Sequence, residues 1–175
     1  MSTDEKHRSA WLPPRWFIRA AWWFHRRLYA AGGARFLRRP TAERAGMLRL
    51  TTTGRRTGQE RSVIVSYVPD GSSYVTLAMN GWADPPPAWW LNLLANPDAV
   101  AETVEEGTQR VHAREATGPD RERLWELLAA SDDGWGELDD YAVRRSHPTP
   151  VVVLELSDQA EPLAQEGPGE GGQVG

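Results

Sequence analysis

The sequence predicts an α+β domain that is mainly β, a small antiparallel barrel or sheet with a few peripheral helices. Three observations predict it. From Met47 onward, six short runs rich in Val, Ile, Leu, Thr or Tyr are separated by turn residues. The helical segments between them do not alternate regularly with the strands, which argues against a doubly wound sheet. Finally, 175 residues with 40% hydrophobic and 25% charged content suit one globular domain plus an appendage.

Residues 1–45 read as a basic, aromatic N-terminal segment. Met1–Ser9 is polar and expected to fray. The prolines of Trp11-Leu-Pro-Pro-Arg15 suit a helix start, and a helix is predicted for Arg15–Ala31, ended by Gly32-Gly33. At about 100° per residue, Arg15, Arg19 and Arg26 share one narrow arc. Phe17, Ala21, Phe24 and Leu28 lie opposite, with Trp16, Trp22, Trp23 and Tyr29 on the flanks. Four arginines in this stretch exclude a spanning helix or a signal peptide. The helix is amphipathic. It suits either peripheral membrane contact through residues 11–31 or packing against protein.

Residues 46–157 carry the strands. Met47–Thr53 stops at Gly54, Arg61–Val68 leads into the turn Pro69-Asp70-Gly71-Ser72, and Tyr74–Met79 closes at Asn80-Gly81. Three prolines, Pro85 to Pro87, introduce a helix over Ala88–Ala95 that Asn96-Pro97 terminates. Val100–Val104 and Gln109–Glu115 form a hairpin around Glu106-Gly107. Pro119 opens an amphipathic helix with Leu124, Leu127 and Leu128 on one side, and a polar stretch through Tyr141 is also read as helical. Pro150–Leu156 is the last strand. Residues 158–175, rich in Gly, Glu and Gln, have little to bury and are expected to form a disordered tail.

The net charge of −4 hides a split. Residues 1–61 hold 14 Lys and Arg against 4 Asp and Glu, whereas residues 62–175 hold 6 against 20. A uniformly basic nucleic-acid binder is thereby excluded. The absence of cysteine removes disulfides, thiolate metal sites and cysteine nucleophiles. His7, His25, His112 and His147 lack metal-ligand spacing, so no metal is expected. There is no Gly-x-Ser-x-Gly elbow, and Gly54-Arg-Arg-Thr-Gly58 has neither the spacing nor the lysine of a phosphate-binding P-loop. With no acid, base or nucleophile set of its own, the chain points to a cofactor as the source of reactivity.

The most informative stretch is Thr51-Thr-Thr-Gly-Arg-Arg-Thr-Gly-Gln-Glu-Arg61. Two glycines bracket two arginines between strands, so guanidinium groups and backbone N–H groups are presented together. That suits a ligand with several anionic oxygens; a solvated basic hairpin fits the same pattern.

Leu50-Thr-Thr-Thr-Gly-Arg-Arg-Thr-Gly-Gln59, Val68-Pro-Asp-Gly71, Asn80-Gly81 and Ala88-Trp-Trp-Leu-Asn-Leu-Leu-Ala-Asn-Pro97 occur in this order. Together they resemble the deazaflavin-dependent nitroreductase and quinone reductase family, over about Met47 to Leu156. The resemblance implies a split β-barrel similar to flavin-binding oxidoreductases, with coenzyme F420 as hydride carrier and flavin mononucleotide as the alternative. This cofactor carries a phosphodiester and a polyglutamate tail. Arg55, Arg56 and Arg61 match the family's basic positions for that end, with Thr57 as an added hydroxyl donor. Ser62, Val63, Ile64 and Val65 match the strand whose backbone borders the ring, and Leu77, Ala78, Met79 and Asn80 match the facing strand end and loop. Ala88, Trp89 and Trp90 match the start of the helix over the phosphate region, where a helix N-terminus favours an anion; core packing is the other reading of the two tryptophans.

Three departures bear on substrate. Asn80 stands where some members carry lysine, and Ser66 replaces a tyrosine common beside the ring. Before the last strand, where the family places aromatics over the substrate, this chain has Trp135 and Tyr141 with Leu138 between them. Ser66 and Trp135 are therefore assigned to the substrate pocket, and Tyr141 to orienting substrate or donating a proton. The resemblance implies an oxidoreductase passing a hydride from reduced F420 to a quinone, enone or nitroaromatic. The alternative is a non-catalytic split-barrel binder of F420, flavin or haem. Expected partners are a small-molecule acceptor, with homodimerisation left open. The expected location is the cytoplasm, with the inner face of the membrane as a peripheral site.

Overall fold

The structure, a computed structural model, describes residues 37–42, 44–80, 85–131, 138 and 145–157. The helix expected over 15–31, Trp135, Tyr141 and the tail 158–175 lie outside them. All elements below belong to the unit that begins at Leu37.

Six strands, β1 (Gly46–Thr53), β2 (Glu60–Asp70), β3 (Ser73–Leu77), β4 (Asp98–Thr103), β5 (Gly107–Glu115) and β6 (Val151–Leu156), are joined with helices α1 (Ala88–Ala95) and α2 (Gly118–Ala129). Every strand pairing is antiparallel, and the order β1-β2-β3-β6-β5-β4 closes into a barrel because β4 returns to β1. This is the mainly β split-barrel class that the resemblance implies. The closure is partial: β2 meets β3 only over Val68 to Asp70, so the edge of β2 away from β1 has no strand partner from Glu60 to Tyr67 among the described residues.

Alternation along the strands sorts side chains into two apolar clusters. Leu48, Leu50, Val65, Tyr67, Tyr74, Ala101, Val111, Ala113, Val152 and Leu154 fill the barrel, together with Trp89, Trp90 and Leu93 of α1. The neighbouring positions Val68, Val75, Leu77, Val151 and Val153 point outward, where Leu124 and Leu128 of α2 cover them. Trp89 and Trp90 meet edge to face, with centroids 6.4 Å apart. Both are core residues.

Most strand boundaries differ from the sequence expectation by one or two residues, and two of them have a visible cause. The second strand runs on through Pro69, which pairs opposite Tyr74, so the turn is confined to Gly71 and Ser72. The third strand stops at Leu77 rather than Met79, because the Met79 N–H turns back to the Leu77 carbonyl at 2.9 Å. The chain thereby leaves the ladder two residues early. Helix α1 spans the residues expected of it, bounded by Pro87 and Asn96.

Candidate functional site: an uncompensated arginine hairpin

The β1–β2 connection is held by its own backbone. The Gly54 N–H donates to the Gln59 carbonyl at 2.8 Å, and the Gly54 carbonyl accepts from Thr57 and Gly58 at 3.1 and 2.7 Å. Both glycines are required here. A Cβ on Gly54 would stand 2.9 Å from the Gln59 carbonyl, and Gly58 has φ +67°. The turn leaves Arg55, Arg56 and Arg61 exposed. Arg61 donates to Gln59 Oε1 at 3.0 Å, and the Gln59 N–H to Thr57 Oγ1 at 3.4 Å.

No carboxylate among the described residues pairs with any of these three arginines. Three other arginines are paired, Arg49 with Glu102, Arg114 with Asp120 and Glu155, and Arg123 with Asp70 and Asp120. Arg39 and Arg110, like the hairpin, have no carboxylate partner among the described residues, but only the hairpin gathers three such side chains. The hairpin is therefore a cluster of cations whose counterion the described fold does not supply.

Helix α1 adjoins it. Pro87 caps its start with no side-chain hydrogen bond, and the first turn holds no acidic residue, so the helix itself brings no negative charge to its positive end. Ala88 is exposed there, while Trp89 and Trp90 are turned into the core. The Asn92 side chain joins this helix to the hairpin. Its Oδ1 accepts from the Arg55 N–H at 3.2 Å, and its Nδ2 donates to Thr52 Oγ1 at 3.1 Å.

The pleat splits the expected ring-bordering strand. Val63 and Val65 face the barrel interior, whereas Ser62, Ile64 and Ser66 point outward. Ser62 Oγ lies 2.8 Å from Thr51 Oγ1, and Ser66 Oγ donates to Met47 Sδ at 3.2 Å. On the facing segment, Leu77 and Ala78 are buried, and Met79 and Asn80 are half-buried. Leu138 is 2% exposed and belongs to the outer cluster under α2, a core position. Its neighbours Trp135 and Tyr141 lie outside the described residues.

Two phenols close the opposite end of the barrel. Tyr74 hydrogen-bonds to Glu106 and packs edge-on against Tyr67 at 5.1 Å. Burial, then the nearby Glu105 and Glu106 charges, push the Tyr67 phenol up to about 12. Burial and the Glu106 hydrogen bond raise Tyr74 as well. Neither phenol is a proton donor suited to neutral pH.

Sequence reasoning missed Asn92 and Thr52. A signal existed: Asn92 sits in the otherwise apolar Ala-Trp-Trp-Leu-Asn-Leu-Leu-Ala, and a buried amide must find partners.

A barrel with an arginine hairpin pinned to a helix is suited to a polyanionic ligand. Phosphodiester and carboxylate oxygens fit guanidinium groups that have no carboxylate partner among the described residues. Residues 17–156 match the F420H(2)-dependent quinone reductase family, and the chain belongs to that family. With membership comes F420-dependent reductase activity, reduced coenzyme F420 being the hydride donor. An F420H(2)-dependent quinone reductase of Mycobacterium tuberculosis is 36% identical over 111 residues, 61% of this chain and 71% of that protein. Among solved structures, an F420-H2 dependent reductase is 27% identical with TM-score 0.53, over 62% of this chain and 93% of that one. A chain described as a domain-swapped dimer is 25% identical with TM-score 0.59, over 82% of this chain and 100% of that one.

Proposed function

We propose that this chain reduces conjugated acceptors of the quinone type, with enones and nitroaromatics as further acceptors. The observation that carries the reading is the Arg55/Arg56/Arg61 hairpin, which presents guanidinium groups without a carboxylate partner among the described residues. These groups would hold the phosphodiester and glutamate end of the cofactor, with Thr57 and the start of α1 adding neutral donors. Ser62, Ile64 and Ser66 supply the side chains on the outward face of the strand assigned to the ring. When bound, reduced coenzyme F420 supplies the hydride. Trp135 and Tyr141 would orient the acceptor. A phenol of ordinary pKa, about 10, hydrogen-bonds the acceptor oxygen at neutral pH rather than ionising, and water can complete proton delivery.

The aromatic, arginine-faced segment 11–31 supports peripheral membrane contact at the cytoplasmic face, close to lipid-soluble quinones. The likeness to a domain-swapped dimer supports a homodimer.

Parallel titrations with F420 and flavin mononucleotide test the cofactor, and turnover of reduced F420 with menadione tests the reaction. The expected result is tighter binding of F420 and menadione-dependent reoxidation. Binding without reoxidation would leave a carrier, and preference for flavin mononucleotide would overturn the cofactor assignment. Vesicles of anionic lipid should pellet the full chain but not a variant with Arg15, Arg19 and Arg26 changed to Glu; equal pelleting removes the membrane contact.

A further inference from the structure

The hydrogen bonds inside the Gly54–Gln59 loop set its shape but not its place on the barrel. Among the described residues its backbone is tied to α1 by one side chain, Asn92, which is 6% exposed and has both polar atoms bonded. Asn92 Oδ1 accepts from the Arg55 N–H, and Asn92 Nδ2 donates to the hydroxyl of Thr52, itself 1% exposed. Thr52 Oγ1 continues the chain to the Arg61 carbonyl at 3.4 Å. A single buried relay thus runs from the helix to the backbone of both ends of the arginine hairpin.

We propose that Asn92, acting through Thr52, is a positioning residue that fixes the arginine hairpin against α1 for the anionic end of the cofactor. It touches no ligand; it ties the Arg55 backbone to α1, while Arg61 is held mainly by its β1–β2 pairing opposite Thr52. Replacing it with an apolar residue leaves the Arg55 N–H and the Thr52 hydroxyl without this partner, so the loop must shift to find water. The inference rests on the F420 reading and deepens it.

The test compares two probes on the full chain: F420, and its deazaflavin–ribityl fragment lacking the phosphodiester and glutamates. Wild type should bind F420 more tightly than the fragment. Equal binding of the two, or no binding of F420, would defeat the F420 clamp itself rather than the role of Asn92. Given that preference, Asn92→Leu should weaken F420 binding by roughly tenfold while leaving the fragment unchanged, since neutral hydrogen bonds of this kind matter at about that level. It should also flatten the salt dependence of F420 affinity, because displaced arginines neutralise fewer anionic oxygens. A merely structural role would lower both affinities together. Should Asn92→Leu fail to give a cooperative melt, Thr52→Val decides: it removes the hydroxyl at nearly constant volume and should show the same selective loss. Parallel loss of both probes, or no loss, in the deciding variant overturns the proposal.

Discussion

Arginine has opposite roles on two parts of this barrel. Along α2, Arg114 donates to Glu155 at 2.6 Å and to Asp120 at 2.9 Å, while Arg123 grips Asp70 through both nitrogens at 2.9 and 2.8 Å. Those pairs tie β5, β6, the end of β2 and α2 to one another. At the β1–β2 hairpin, Arg55, Arg56 and Arg61 have no such partner among the described residues. Where the fold supplies the carboxylate, the guanidinium serves the fold. Where it does not, the charge is kept hydrated and open to an anion, at little cost to stability. The two regions should therefore respond to mutation in different measurements.

The largest effect belongs to the α2 side. Leu124 is completely buried between α2 and the outward faces of β3 and β6. Leu124→Ala should lower unfolding free energy by about 2–5 kcal/mol in denaturant titration. The folded fraction should bind F420 as wild type does. If its affinity fell in proportion, the two regions would not be separable.

The mirror-image experiment is next in size. Arg55→Ala combined with Arg56→Ala should cost about 2–4 kcal/mol of F420 binding through lost charge-assisted contacts. The melting temperature should stay where it is, since neither side chain has an ion pair to lose among the described residues. Unchanged affinity in a fluorescence titration would take the clamp out of the mechanism.

Much of this contrast is legible in the sequence, and the illegible part has a physical reason. Gly54-Arg-Arg-Thr-Gly58 announces a tight basic turn because glycine spacing and charge are local properties. Helix α1 is equally plain, since Pro87 and Pro97 bound it from both sides. Burial of Trp89 and Trp90 could not be separated from a ligand role, because an aromatic residue at a helix start suits either until its neighbours are known. The Asn92–Thr52 bond joins residues 40 positions apart and depends on barrel closure, a non-local event that periodicity does not encode. Leu138 shows the same limit: the sequence assigns it no role between two aromatics, and its membership of the cluster with residues of β2, β3, β6 and α2 follows from the fold.

The smallest expected effect sharpens the comparison most, because it separates an ion pair from mere packing. Asp70 is held below the usual carboxylate range chiefly by its hydrogen bonds from Arg123. A carboxylate depressed in the folded state stabilises it above the unfolded pKa of about 3.9, and that contribution disappears as pH falls through the folded value. Arg123→Ala should therefore destabilise slightly at neutral pH, since the pair is exposed and screened. The gap between variant and wild type should then close in denaturant titrations carried below about pH 4. Arg123 also has an apolar stem, and any contact it makes would not titrate. A gap that persists undiminished in acid would assign the residue to packing and erase its contrast with Arg55; a gap that closes, with F420 affinity unmoved at neutral pH, identifies the α2 arginines as counterions of the fold.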